Sequence, residues 1–150
     1  MKKVLLAVGL GISVILVSGC FFNEKIVTCT KEDNSSGMMT SEKLVAKIKD
    51  EKIKTLDMEL SMDMSGEEQA SIDATYNLVK PLYEGFKAEG IEPVVSKSDS
   101  AINVAIAFDF AKASEESLSK MDSNFADMKQ EKVDVEEYKK NMEADGYTCK

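Results

Sequence analysis

The sequence contains no histidine, no tryptophan and, among its 19 basic residues, no arginine. Without an imidazole, a Ser-His-Asp or Cys-His nucleophile pair and a histidine-bearing zinc site are excluded. Without a guanidinium there is no bidentate clamp for phosphate. The formal charge of −8 removes the basic footprint of a nucleic-acid binder. Only 2 prolines are present, with no Ser/Pro linker and no internal repeat, so the 150 residues read as one domain with its own core. No glycine-rich phosphate loop and no G-x-S-x-G elbow occurs.

What is there is concentrated first at the N-terminus. Lys2 and Lys3 precede an apolar run from Val4 to Val17, closed by the small residues Ser18 and Gly19 before Cys20. This is the layout of a secretion signal. As a helix the run would reach about 21 Å at ~1.5 Å per residue. A bilayer core is about 30 Å thick, so a permanent single span is the weaker reading. The segment Leu16-Val17-Ser18-Gly19-Cys20 resembles the lipobox of bacterial lipoproteins. That resemblance implies diacylglyceration of the Cys20 thiol, cleavage just before it, and palmitate-type acyl chains as the anchor. Each buried CH₂ contributes about 0.8 kcal/mol, so two or three chains hold a protein stably where one does not. An uncleaved anchor helix is the alternative. The expected divisions are a signal peptide over 1–19, a lipidated linker over 20–24 and a single domain over 25–150.

Cleavage before Cys20 leaves 131 residues with 17 lysines against 27 acidic residues, a more acidic chain than the precursor. The linker is too short for a stalk, since five residues extend at most about 18 Å. The domain is therefore expected close to the membrane, with Phe21 and Phe22 either in the interface or opening the first strand. With Cys20 claimed by lipid, Cys29 and Cys149 remain. Both sit in β-prone contexts, Ile26-Val27-Thr28-Cys29-Thr30 and Tyr147-Thr148-Cys149, and a disulfide is expected in an oxidising compartment. Closing so long a loop is worth roughly 4 to 5 kcal/mol in the chain-entropy picture. Two free thiols are the alternative.

Along the exported chain, Lys31 to Gly37 is a cluster of turn formers. From Met39 to about Met64 the period is two. Leu44, Ala46 and Ile48 share one face of a strand, Asp50-Glu51-Lys52 make a turn, and Leu56, Met58, Leu60, Met62 and Met64 alternate with polar residues. One wet and one dry face describe an antiparallel hairpin. Ser65 and Glu68 then have capping-box spacing. Ile72, Tyr76, Val79, Tyr83 and Phe86 recur at helical intervals, which predicts a helix over about 66–88 with Gly90 as its stop and a kink or split at Pro81.

A second hairpin is expected over 91–110, where Ile102, Val104, Ile106, Phe108 and Phe110 alternate with Asn103, Ala105, Ala107 and Asp109. Ser114 then caps a helix carrying Leu118, Met121, Phe125 and Met128 on one side, with Glu115 and Glu116 in its first turn. Asp134 and Glu137 make a further box, flanked by a Val133–Tyr138 staple and closed by Gly146. A short end strand carries Cys149. The order strand, hairpin, helix, hairpin, helices, end strand predicts an α+β fold, an antiparallel β-sheet with helices packed on one face. This layout, with a Val-Thr-Cys-Thr opening and a Gly-Tyr-Thr-Cys ending, resembles small YehR-like lipoproteins of unknown function. The resemblance implies no catalytic residues.

Candidate chemistry is sparse. Met58, Met62 and Met64 offer soft thioethers suited to copper(I), but Leu56 and Leu60 share the stripe, which reads as core. Asp57, Asp63, Glu67 and Glu68 lack the loop glycine and spacing of an EF-hand and read as a solvated face. Glu115-Glu116 and Glu136-Glu137 are adjacent, so neither pair forms an acid/base couple on a helix. The expectation is a non-enzymatic lipoprotein on the extracytoplasmic face of the cell membrane, with no cofactor, no metal and no nucleic acid. Its membrane partner is reached through the lipid on Cys20, and its domain binds a protein partner or small ligand. An accessory binding lipoprotein of a transporter is one alternative and a cell-envelope hydrolase another. A deep pocket of converging carboxylates would favour the hydrolase, and a flat helix-covered sheet a protein partner.

Overall fold

A computed structural model of the chain describes residues 24–34 and 38–150. The signal segment and Cys20 lie outside the described residues. Six strands, β1 (Glu24–Asp33), β2 (Thr40–Lys49), β3 (Lys52–Asp63), β4 (Ile91–Lys97), β5 (Ala101–Asp109) and β6 (Thr148–Cys149), form one sheet in the order β4-β5-β3-β2-β1-β6. Every pairing is antiparallel. Four helices, α1 (Gln69–Glu84), α2 (Glu115–Met121), α3 (Ser123–Gln130) and α4 (Val135–Ala144), complete the α+β fold.

The dry face is set by parity. Cross-strand register aligns Cys29, Leu44, Met58, Ile106 and Pro93 in one row, and Val27, Ala46, Leu56, Phe108 and Ile91 in the next. Ile102, Val104, Ile106, Phe108 and Phe110 are all buried, as their alternation predicts. Helices cover this side. The Phe125 ring of α3 stacks on Phe108 with centroids 4.8 Å apart, and Ile72 of α1 and Leu118 of α2 join the same core. A register shift after Lys47 leaves Lys54 as an extra residue in β3, so Ile53 and Leu56 both point inward. The strict alternation of β3 stops at that bulge. Of the methionine stripe, Met64 is buried, whereas Met58 and Met62 are half-buried against the core.

Several element boundaries differ from the sequence expectation. β1 starts at Glu24, one residue before the expected domain start, and runs through Asp33, so Lys31 to Asp33 belong to a strand rather than a turn cluster. The Ser65–Glu68 capping box does not form. The Ser65 amide donates to Asp63 Oδ1 at 2.9 Å, and α1 begins only at Gln69 with Glu68 as an N-cap that makes no side-chain bond. Helix α1 ends at Glu84 with Gly85 as its cap, and Pro81 stays inside its last turn without splitting it. Gly90 does not stop the helix. It turns the chain into β4 with φ +75°, where an added Cβ would meet Ala113 N at 2.4 Å and Asp109 O at 2.7 Å. The helix expected from Ser114 to Met128 is two helices, because Asp122 adopts an extended conformation (φ −161°) and caps α3 by accepting from the Asn124 amide. Asp134 does cap α4, accepting from the amides of Glu136 and Glu137, and Gly146 (φ +90°) closes its C-terminal turn.

Candidate functional site

The face opposite the helices is open. Its rows run Thr30, Lys43, Glu59, Ala105, Val94 and Glu32, Ser41, Ser61, Asn103, Ser96 across the strands. Small side chains at Ser41, Ser61 and Ala105 lie between longer neighbours, which leaves a shallow trough of about 810 Å³. Lys43 and Glu59 pair inside it with Nζ to Oε2 at 3.3 Å, both partly exposed, so the pair orients side chains more than it adds stability. No aromatic ring lines the trough, which therefore offers hydroxyl, amide and charged groups but no stacking platform.

On the helix side, α1 lies over β4 and β5 while α4 packs on β1 and β6. Between them the upper part of the dry face is incompletely covered. A groove of about 220 Å³ is lined there by Leu44, Met58, Leu60, Val104 and Ile106, with Tyr83 as a wall and Glu42 at the rim. This groove is the reason Met58 and Leu60 remain half-buried.

Beside it, residues distant in sequence converge on Tyr147. Its hydroxyl donates to Glu42 Oε2, the Lys31 ammonium lies 5.3 Å from its ring centroid, and Lys31 Nζ donates to the Asp145 carbonyl at 3.0 Å. Partial burial, followed by the Glu42 carboxylate, pushes the Tyr147 hydroxyl well above the usual phenol range. Burial alone pushes Tyr138 in the same direction. Cys29 and Cys149 stand opposite each other in the β1–β6 ladder and are joined by a disulfide with S–S 2.02 Å.

The carboxylates of Asp50, Glu51, Asp134 and Glu137 line an open cavity of about 600 Å³ together with Lys25 and Lys132, where Lys132 pairs with Glu51. Asp73 pairs with Lys97, Asp109 with Lys112 and Glu116 with Lys120, all at the surface. The Ser65 amide holds the Asp63 carboxyl below its ordinary range, and Lys112 does the same for Asp109. Glu115-Glu116 and Glu136-Glu137 occupy the first turns of α2 and α4. Among the described residues, no three His, Cys, Asp or Glu side chains are arranged to hold a metal ion. Sequence reasoning did not single out Glu42, Lys31 or Tyr147. Their only sequence signal is parity, since Lys31 and Glu42 are polar residues at positions of β1 and β2 that face the dry side.

An antiparallel sheet with helices on one face and a polar trough on the other defines a two-layer α+β domain. No family model matches the chain, and no curated protein matches it. Among solved structures, the solution structure of the E. coli YehR protein aligns with a TM-score of 0.59 at 16% identity, over 85% of this chain and 93% of that one. The solution structure of a protein from Streptococcus pneumoniae TIGR4 aligns with a TM-score of 0.57 at 16% identity, over 100% of this chain and 96% of that one. The likeness to YehR-like proteins expected from the layout thus holds at the level of the fold.

Proposed function

We propose that the protein is a lipid-anchored lipoprotein of the cell envelope, whose domain is a non-enzymatic module that binds a protein partner or a small ligand at the membrane surface. The observation that carries this reading is the start of β1 at Glu24, four residues after the lipobox cysteine. Those four residues span at most about 14 Å, so acylation of Cys20 would tether one end of the sheet directly to the bilayer. Supporting the binding role over a hydrolytic one, the trough is open, and Lys43 pairs with the Glu59 carboxylate within it.

The test is metabolic labelling with palmitate, followed by detergent-phase partitioning of the wild type and of Cys20→Ser. The wild type takes up label and enters the detergent phase. Cys20→Ser does neither. A Cys20→Ser chain that is still processed and membrane-bound would overturn the reading.

A further inference from the structure

Helix α1 is apolar over more of its surface than the sheet covers. Ile72, Tyr76, Val79 and Tyr83, spaced four, three and four, pack on the core. Ser71, Thr75, Leu78 and Leu82 repeat that spacing one residue earlier and make a second stripe beside the first. Leu78 and Leu82 are 75% and 61% exposed, and the Thr75 hydroxyl is satisfied within the helix by the Ser71 carbonyl at 2.9 Å. The charged residues of α1 are all on the opposite flank. At about 100° per residue, Asp73, Lys80 and Glu84 fall within about 40° of one another, and Leu82 lies about 180° from Asp73. Lys97 of the edge strand β4 pairs with Asp73, so the charged flank faces the edge of the sheet. The leucine stripe is turned the other way, toward the groove over Leu44, Met58 and Leu60 that Tyr83 walls. That groove of about 220 Å³ is smaller than the roughly 300 to 1,000 Å³ of sites for drug-sized ligands, and it suits one or two aliphatic side chains. In a chain with 31% charged residues, an uncharged stripe ending in two exposed leucines beside an open groove marks a covered surface.

We propose that a second copy of this chain covers it, with α1 packed against the partner's α1 about a two-fold axis and Leu78 and Leu82 of each copy closing over the other's groove. Knob and hole stand side by side on one face, which is what an isologous contact requires, because the same patch then serves both copies. The helix-covered face looks sideways from the strands. A two-fold axis parallel to the strands therefore brings two such faces together and leaves both β1 starts at the same end, as two chains held by one membrane need. The contact itself requires no acylation of Cys20, which would only raise the local concentration of copies. Two chains that each carry 17 lysines against 27 acidic residues from Cys20 onward repel one another at a distance. Glu67 and Glu68 precede α1 and Glu42 rims the groove, so this is an apolar contact that salt strengthens by screening.

For the test, the full chain is purified in mild detergent from whichever cell fraction holds it, so that failure of the anchor and failure of the contact read separately. Light scattering is expected to give twice the single-chain protein mass, with the dimer fraction rising as salt is added. The double variant Leu78→Glu, Leu82→Glu is expected to return the mass of one chain with an unchanged urea midpoint, because both sites are exposed. Oxidative cross-linking of single variants reads the register. Leu78→Cys and Leu82→Cys join two copies several-fold faster than Asn77→Cys on the charged flank. A wild type that has the mass of one chain at every salt concentration, or cross-linking no faster at Leu78→Cys and Leu82→Cys than at Asn77→Cys, overturns the second copy as the occupant and leaves the stripe to a different protein. A dimer that survives both glutamates overturns the stripe as its seat.

Discussion

At residue scale, Tyr147 gathers Glu42, Lys31 and Asp145 around the end of α4, and its hydroxyl ionises at higher pH in the folded chain than in the unfolded one. A group whose folded pKa is raised contributes stability that is complete below its unfolded value, about 10 for tyrosine, and is lost as pH climbs through the folded value. Tyr147→Phe is therefore expected to lower the urea midpoint at pH 8, and the gap to wild type should shrink steadily above about pH 10. A gap that stays constant from pH 8 to 12 would show that neither burial nor the Glu42 bond holds the proton on Tyr147 in the folded chain. This cluster was not legible in the sequence. Lys31 and Tyr147 lie far apart along the chain, and only the β1–β6 pairing brings them together.

At the scale of elements, strands were read more faithfully than helix ends. The alternation from Ile102 to Phe110 names the dry face of β5 directly, because one burial rule governs every second residue. Helix boundaries depend instead on local competition for amides. Ser65 and Glu68 have box spacing, yet the nearer Asp63 carboxylate takes the Ser65 amide, and the helix waits until Gln69. Leu118, Met121, Phe125 and Met128 fit one continuous helix by spacing alone. The run Asp122-Ser123-Asn124 carries the opposing signal, three consecutive residues favoured at helix starts. The two arrangements predict opposite signs for Asp122→Ala. In an uninterrupted helix, alanine is the better residue and stability rises. In the observed pair of helices the α3 cap is lost, with a cost of about 1 kcal/mol in urea unfolding and faster hydrogen exchange at the Asn124 amide. A gain in stability would contradict the break at Asp122.

At the scale of the whole molecule, the Cys29–Cys149 bridge and the proposed anchor on Cys20 would divide the three cysteines between two tasks. The disulfide closes a separation of 120 residues and fastens a two-residue β6 to the sheet next to the strand that leads back to Cys20. The C-terminus is thereby clamped to β1, the strand that follows the proposed lipidation site. The layout of strands and the pairing of its end cysteines were accessible from periodicity and count. The open trough and the uncovered groove were not, because they arise from where helices stop covering a sheet, and no local pattern encodes that. The anchored arrangement is tested most directly by the intact mass of the protein extracted from membranes without reductant. The account predicts a chain that begins at Cys20, carries a diacylglyceryl group on that residue, and is two hydrogens lighter than its fully reduced form. A full-length chain with unmodified Cys20, or a trimmed chain without lipid, would contradict it.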